Sequence, residues 1–159
     1  MTDVGLTRFD DGCTERAAHQ SSTLDQLIEL SYALVDHGHD DPLICAAFRL
    51  VLDLGDHPTP ARPALFATWT ARCRDLAARA AAEGHLRPGT DPGSLAAAVV
   101  ATAFGSRVLA GSPAAVANLP HRMTQAWQLL LPAVTEPAAL EYFHQFALRR
   151  EPHRTAPRP

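Results

Sequence analysis

The sequence predicts an all-α fold, a helical bundle, on three observations. Apolar residues recur at three- and four-residue spacing through several separate segments, the period of one buried helix face. These segments are bounded by helix punctuation, including Asp41-Pro42 and Asp91-Pro92 as starts and Gly55 and Gly84 as stops. The period-two alternation of β-branched and aromatic residues that marks strands is missing.

The first element starts at Thr23, where Thr23-Leu24-Asp25-Gln26 fits a capping box. It runs to about His37, with Leu24, Leu27, Ile28, Ser31, Leu34 and Val35 as a single buried stripe. A second helix follows Asp41, with Pro42 at a position whose missing N–H costs nothing, and carries Ile44, Phe48, Val51 and Leu52 on one face up to Gly55. Pro58, Pro60 and Pro63 then make residues 55–63 a loop, placed to rim a pocket.

Residues 64–83 form a third helix with Leu65, Trp69, Cys73, Leu76 and Ala80 on one side, closed by Gly84 as a left-handed cap. After the linker 85–90, Asp91-Pro92 opens the most apolar helix, with Leu95, Ala96, Val99, Val100, Ala103, Phe104, Val108 and Leu109, broken by Gly111 and Pro113. Leu119-Pro120 opens a fifth, striped by Met123, Trp127, Leu130 and Leu131 and stopped by Pro132. The last, 136–149, carries Leu140, Phe143, Phe146 and Ala147, which brings the expected number to six.

With 159 residues, 47% hydrophobic and 19% charged, the chain is expected to form one globular domain over 23–149. Residues 1–22 read as a flexible leading segment and 150–159, with three prolines, as a disordered tail. A net charge of −3 with pI about 6.2 argues against nucleic acid, which calls for a basic face. No apolar run approaches the roughly 20 residues of a membrane span, and the acidic 1–20 stretch is unlike a signal peptide. Three cysteines, Cys13, Cys45 and Cys73, without a CxxC pair, fit a reduced cytoplasmic setting.

Two motifs combine distinctively: Gly84-His85-Leu86-Arg87-Pro88-Gly89-Thr90-Asp91-Pro92, and Trp127-Gln128-Leu129-Leu130-Leu131-Pro132. Together with 23–54 they give the span from about 23 to 134 a likeness to the regulatory domain of TetR-family γ-butyrolactone receptors. The resemblance implies a C-terminal helical domain that dimerises and encloses a small lactone-like signal, while a preceding helix-turn-helix bundle reads DNA. Residues 1–22 are too short for such a bundle, and Gly5 and Gly12 interrupt them, so the expectation is a free-standing effector domain without direct DNA contact.

Carried over residue by residue, the resemblance makes Trp69 the ring that packs on the ligand, with Phe48, Phe66, Cys73, Thr102, Phe104 and Ser106 as further ligand-binding candidates. The receptors' Phe-Thr-Gly run is here Phe104-Gly105-Ser106, which removes a ligand-binding hydroxyl and implies a changed ligand. Met123, Trp127 and Leu130 are the expected dimer-interface residues. Arg107, charged within an apolar helix, reads as a side chain snorkelling to the helix edge or dimer surface, or as a ligand anchor.

Asp36-His37-Gly38-His39-Asp40-Asp41 has metal-ligand residue types, but adjacent side chains diverge, so it reads as solvated cap chemistry and no metal is expected. No nucleophile elbow, phosphate loop or dinucleotide fingerprint occurs, and no cofactor is expected. The leading expectation is binding of a small hydrophobic metabolite by a homodimer. One alternative is a cofactor-free cyclase or isomerase working by preorganisation in the same pocket. Another is a mixed-dimer partner that removes one DNA-reading head from a full-length repressor.

Overall fold

A computed structural model describes residues 22–36, 61–110 and 118–150, the side chains of 36 and 61–66 excepted. Within them the chain forms α1 (Thr23–Asp36), α2 (Ala61–Ala82), α3 (Pro92–Val108), α4 (Leu119–Val134) and α5 (Pro137–Arg150). The second expected helix, the histidine-rich turn before it, and both termini lie outside the described residues.

The organising element is α1. Leucine, isoleucine, valine and alanine occur on every side of it, so it cannot present one face to a core and another to water. It lies instead in the middle, packed by α2, α3, α4 and α5. Leu24, Leu27, Ile28, Leu30, Ala33, Leu34 and Val35 are all buried, a wider surface than the single stripe the spacing predicts. Each fully buried leucine or isoleucine contributes about 1.5–3 kcal/mol, which a 14-residue helix needs, since alone it would be marginal in water.

Burial on all sides also takes in the polar residues of α1, and each neighbour supplies an answer. Trp127 of α4 donates its indole N–H to the Ser31 hydroxyl at 2.8 Å, and that hydroxyl donates to the Ile28 carbonyl. The Tyr32 hydroxyl donates to the Ala147 carbonyl of α5 at 3.0 Å and lies 2.7 Å from the Thr124 hydroxyl of α4. From α5, Tyr142 donates to Asp25, and the Arg150 guanidinium stands 2.7 Å from Glu29 while lying over the Phe146 ring.

The two ends of α1 are pinned by different helices. At the start, Ser22 is the N-cap: its hydroxyl accepts from the Asp25 amide at 3.1 Å, and its carbonyl takes the first intrahelical bond. The cap is therefore one residue earlier than the expected capping box, because Thr23 is engaged elsewhere. Its amide and hydroxyl both donate to the Glu83 carboxylate just beyond α2. At the far end Arg107 of α3 donates to the carbonyls of Leu34 and Val35 at 3.2 and 3.0 Å, two groups with no partner inside the helix.

Two connectors meet at the Glu83 end. Helix α2 closes in a Schellman motif, with Gly84 at φ +77°, its amide on Ala81 and the His85 amide on Ala80. The chain then makes a turn, Arg87-Pro88-Gly89-Thr90, with proline second, glycine third at φ +86° and the Thr90 amide returning to Arg87, the signature of type II. This connector pairs with the one between α4 and α5 through an isolated antiparallel bridge, Leu86 to Thr135, with Arg87 N–H on Val134 and Glu136 N–H on His85.

Two prolines sit differently from expectation. Pro63 lies within the first turn of α2, where its missing amide has no helical acceptor to lose. Pro132 does not stop α4, which continues to Val134; the bond it forfeits is in the last turns, on an exposed side where water reaches the freed Gln128 carbonyl.

The Glu83 pin generates a pH prediction. The Thr23 hydroxyl holds the Glu83 carboxyl below the ordinary value of 4.5, against desolvation as the next-largest effect and with the Thr23 amide, His85 and Arg79 in support. A depressed carboxylate stabilises the fold above its unfolded value and loses that contribution as pH falls through the folded one. Wild-type melting temperature should drop between about pH 5 and pH 3 more steeply than that of Glu83→Gln, by thermal circular dichroism; parallel profiles would remove the pin.

Candidate functional site

The middle of α2 and the second half of α3 carry most of the side chains that the sequence nominates for ligand contact. Trp69 and Cys73 are one turn apart on α2 and both are buried, at 1% and 0% exposure; Phe104 of α3 is 5% exposed. All three belong to the hydrophobic core of the domain, which also takes in buried residues of α1, α4 and α5. The Arg72 guanidinium, on the rim, lies 5.6 Å from the Trp69 ring centroid in a cation–π arrangement. Thr102 and Ser106, four residues apart, are half-buried on one face of α3, roughly opposite Phe104. Phe48 and the Phe66 side chain lie outside the described residues.

Chemistry at Cys73 is limited by its surroundings. Burial pushes the thiol up to about 12, with Arg72 opposing weakly, so it stays a neutral apolar group. Gly105 follows Phe104 without a close neighbour: a Cβ built on it meets nothing within 4 Å. Neither a clash nor a positive φ requires glycine there, so the hydroxyl and methyl expected from the receptor pattern are absent without any steric reason.

Arg107 turns its guanidinium to the end of α1, which is the cap already described rather than the helix-edge position the sequence suggests. Met123 and Trp127 are buried inside the chain at 1% and 0%, while Leu130 is half-buried and its neighbour Leu129 is 79% exposed. Among the described residues no cluster of three or more His, Cys, Asp or Glu is arranged to hold a metal, and no helix is long and apolar enough to cross a membrane.

A separate groove of about 430 Å³ opens where the type II turn meets α3 and α4. Leu95, Ala98, Leu130, Ala133 and Val134 form its apolar floor, and Arg87, Thr90, Asp91 and Ser94 its polar lip. The lip is already self-satisfied: Asp91 caps α3 by accepting from the Ser94 hydroxyl and amide, both at 2.7 Å, which holds its carboxyl below the ordinary range. Arg87 donates from Nε to the Thr135 carbonyl. Sequence reasoning missed this groove because its walls lie about 40 positions apart; the Pro88-Gly89 turn was its only local signal.

Comparison with known proteins places this geometry. The model of the tetracyclin repressor-like C-terminal domain matches residues 21–135. CprB, a TetR family protein from Streptomyces coelicolor A3(2), superposes with a TM-score of 0.76 at 19% identity, over 94% of this chain and 70% of that one. An ArpA-like γ-butyrolactone receptor gives 0.76 at 19%, over 94% and 72%. At that identity the likeness is one of fold. TylP, a TetR regulator from Streptomyces fradiae, gives 0.68 at 27%, over 92% and 72%. No curated protein matches the sequence.

The Cys73 environment predicts its reactivity. With the thiol at about 12, only about one molecule in ten thousand is thiolate near pH 8, and the sulfur is covered. Iodoacetamide should leave the Cys73 peptide unmodified in the native chain and alkylate it fully in denaturant, by mass spectrometry. Rapid native labelling would show that the cluster around Trp69 opens readily.

Proposed function

The chain belongs to the tetracyclin repressor-like C-terminal domain family, and from that membership we propose that it is a regulatory domain that binds a small hydrophobic metabolite between α2 and α3. The observation that carries the reading is the family match over residues 21–135, within which Trp69, Cys73 and Phe104 are buried on α2 and α3, two large rings and a small side chain. A mostly apolar site with few polar groups is what small-molecule pockets offer. The metabolite is of the γ-butyrolactone or a related secondary-metabolite class, in keeping with the receptor among the structural neighbours. Gly105 favours a ligand that does not depend on a hydroxyl at that position.

The binding unit is a homodimer, and the outward side of α4 is its contact. Leu129 projects beside the groove floored by Leu130, Ala133 and Val134, so that on a two-fold axis the leucine of one copy meets the groove of the other. Trp127 and Met123 support that face from behind rather than forming it. DNA is not contacted by this domain itself: the whole chain carries a net charge of −3.

The two tryptophans make the proposal measurable. Titration with synthetic 2-acyl-γ-butyrolactones of increasing chain length should change tryptophan emission in the wild type and in Trp127→Phe, and leave Trp69→Phe silent. At about 100 times Kd the ligand should add about 2.7 kcal/mol and raise the melting temperature by several degrees. If neither emission nor melting responds to any lactone or butenolide of the series, the lactone assignment fails.

A further inference from the structure

The last turn of α3 differs from the rest of that helix in how it is held. Up to Phe104 the helix is anchored by buried side chains, Leu95, Ala96, Val99, Val100, Ala103 and Phe104. Beyond it comes Gly105, a weaker helix former than alanine that brings no packing. Val108 and Leu109 are then 60% and 75% exposed. Against that background Arg107 reaches across to α1 and takes two of its C-terminal carbonyls.

We propose that this turn is a hinged latch, with Gly105 as its pivot and Arg107 as its bolt on the end of α1, and that a ligand lodged against Phe104 works the latch. The inference rests on the ligand reading given above. Phe104 and Arg107 are three residues apart, so their side chains neighbour each other on one face of α3 across the pivot, and a ligand that displaces the Phe104 ring displaces the Arg107 side chain with it. With the bolt engaged, the carbonyls of Leu34 and Val35 have charge-assisted donors and the last turn of α1 is held. With it withdrawn, those carbonyls turn to water and both turns loosen together. Occupancy at Trp69 and Phe104 is thereby reported at the C-terminus of α1, a place the ligand itself does not touch.

Hydrogen exchange of the full chain tests the latch without a ligand. In Arg107→Gln the amides at 34–36 and those at 108–110 should both exchange about tenfold faster than in wild type, with α4 unchanged. In Gly105→Ala both sets should slow together, since a Cβ has room and removes the pivot. Acceleration confined to one of the two segments, or neither, overturns the latch; if Arg107→Gln destabilises the whole fold, Gly105→Ala alone decides it.

The second arm adds the 2-acyl-γ-butyrolactone series. A lactone that changes Trp69 emission should also change exchange at 34–36 and 108–110 in wild type, and change it less in Gly105→Ala. A lactone that changes emission but leaves both segments unaltered would overturn the ligand-worked latch while the binding reading stands. If no lactone changes emission, the lactone assignment falls and the lactone-worked latch with it, and the exchange rates of the two variants alone decide the hinge and bolt.

Discussion

Everything in this fold follows from the enclosure of α1. A helix with no outward side must have its polar groups met from within the protein, because leaving a buried donor or acceptor unmet costs about 1–3 kcal/mol each. Five polar residues and two terminal carbonyls of α1 therefore find partners contributed by all four of the other described helices and their ends, and each partner fixes one neighbour in position and register. Apolar packing alone would let those neighbours slide; the hydroxyl of Ser31 accepts the Trp127 indole at one place only. Specificity of arrangement comes from the polar pins, and most of the stabilisation from the leucines between them.

The pins also fix direction. Thr23 meets the end of α2 and Val35 meets the end of α3, so α1 and α3 run the same way and α2 runs against them. Tyr142 and Ala147 meet Asp25 and Tyr32 in that order, so α5 runs with α1 as well. Trp69 and Phe104 consequently lie toward one end of the bundle, about 18–21 Å of helix away from the connectors at the other. The acidic and hydroxyl-bearing surface at the connectors and the apolar cluster are thus separate regions of a single small domain.

The helices were legible where the signal is local. Asp91 caps α3, Pro92 begins it, Gly84 ends α2, and the buried sides of α2, α4 and α5 follow their apolar spacing. Local chemistry misled where a distant residue competes. Thr23 looks like a cap in isolation, but Glu83, 60 positions on, takes its hydroxyl and the cap falls to Ser22. Asp25 and Glu29 look like a wet face until the Tyr142 and Arg150 that answer them are brought alongside. At the candidate site, the burial of Trp69, Cys73 and Phe104 could be read from spacing, whereas the target of Arg107 could not: a guanidinium's reach to backbone 72 positions away leaves no trace in either segment.

The bridge between Leu86 and Thr135 joins the two inter-helix connectors at one end of the bundle, and besides the Arg87 side-chain bond to Thr135 it is flanked by two bonds from backbone to backbone. No side-chain replacement short of proline removes them. The way α2 and α3 meet α4 and α5 at that end is therefore set by main chain, and the side chains around the joint can change without altering it.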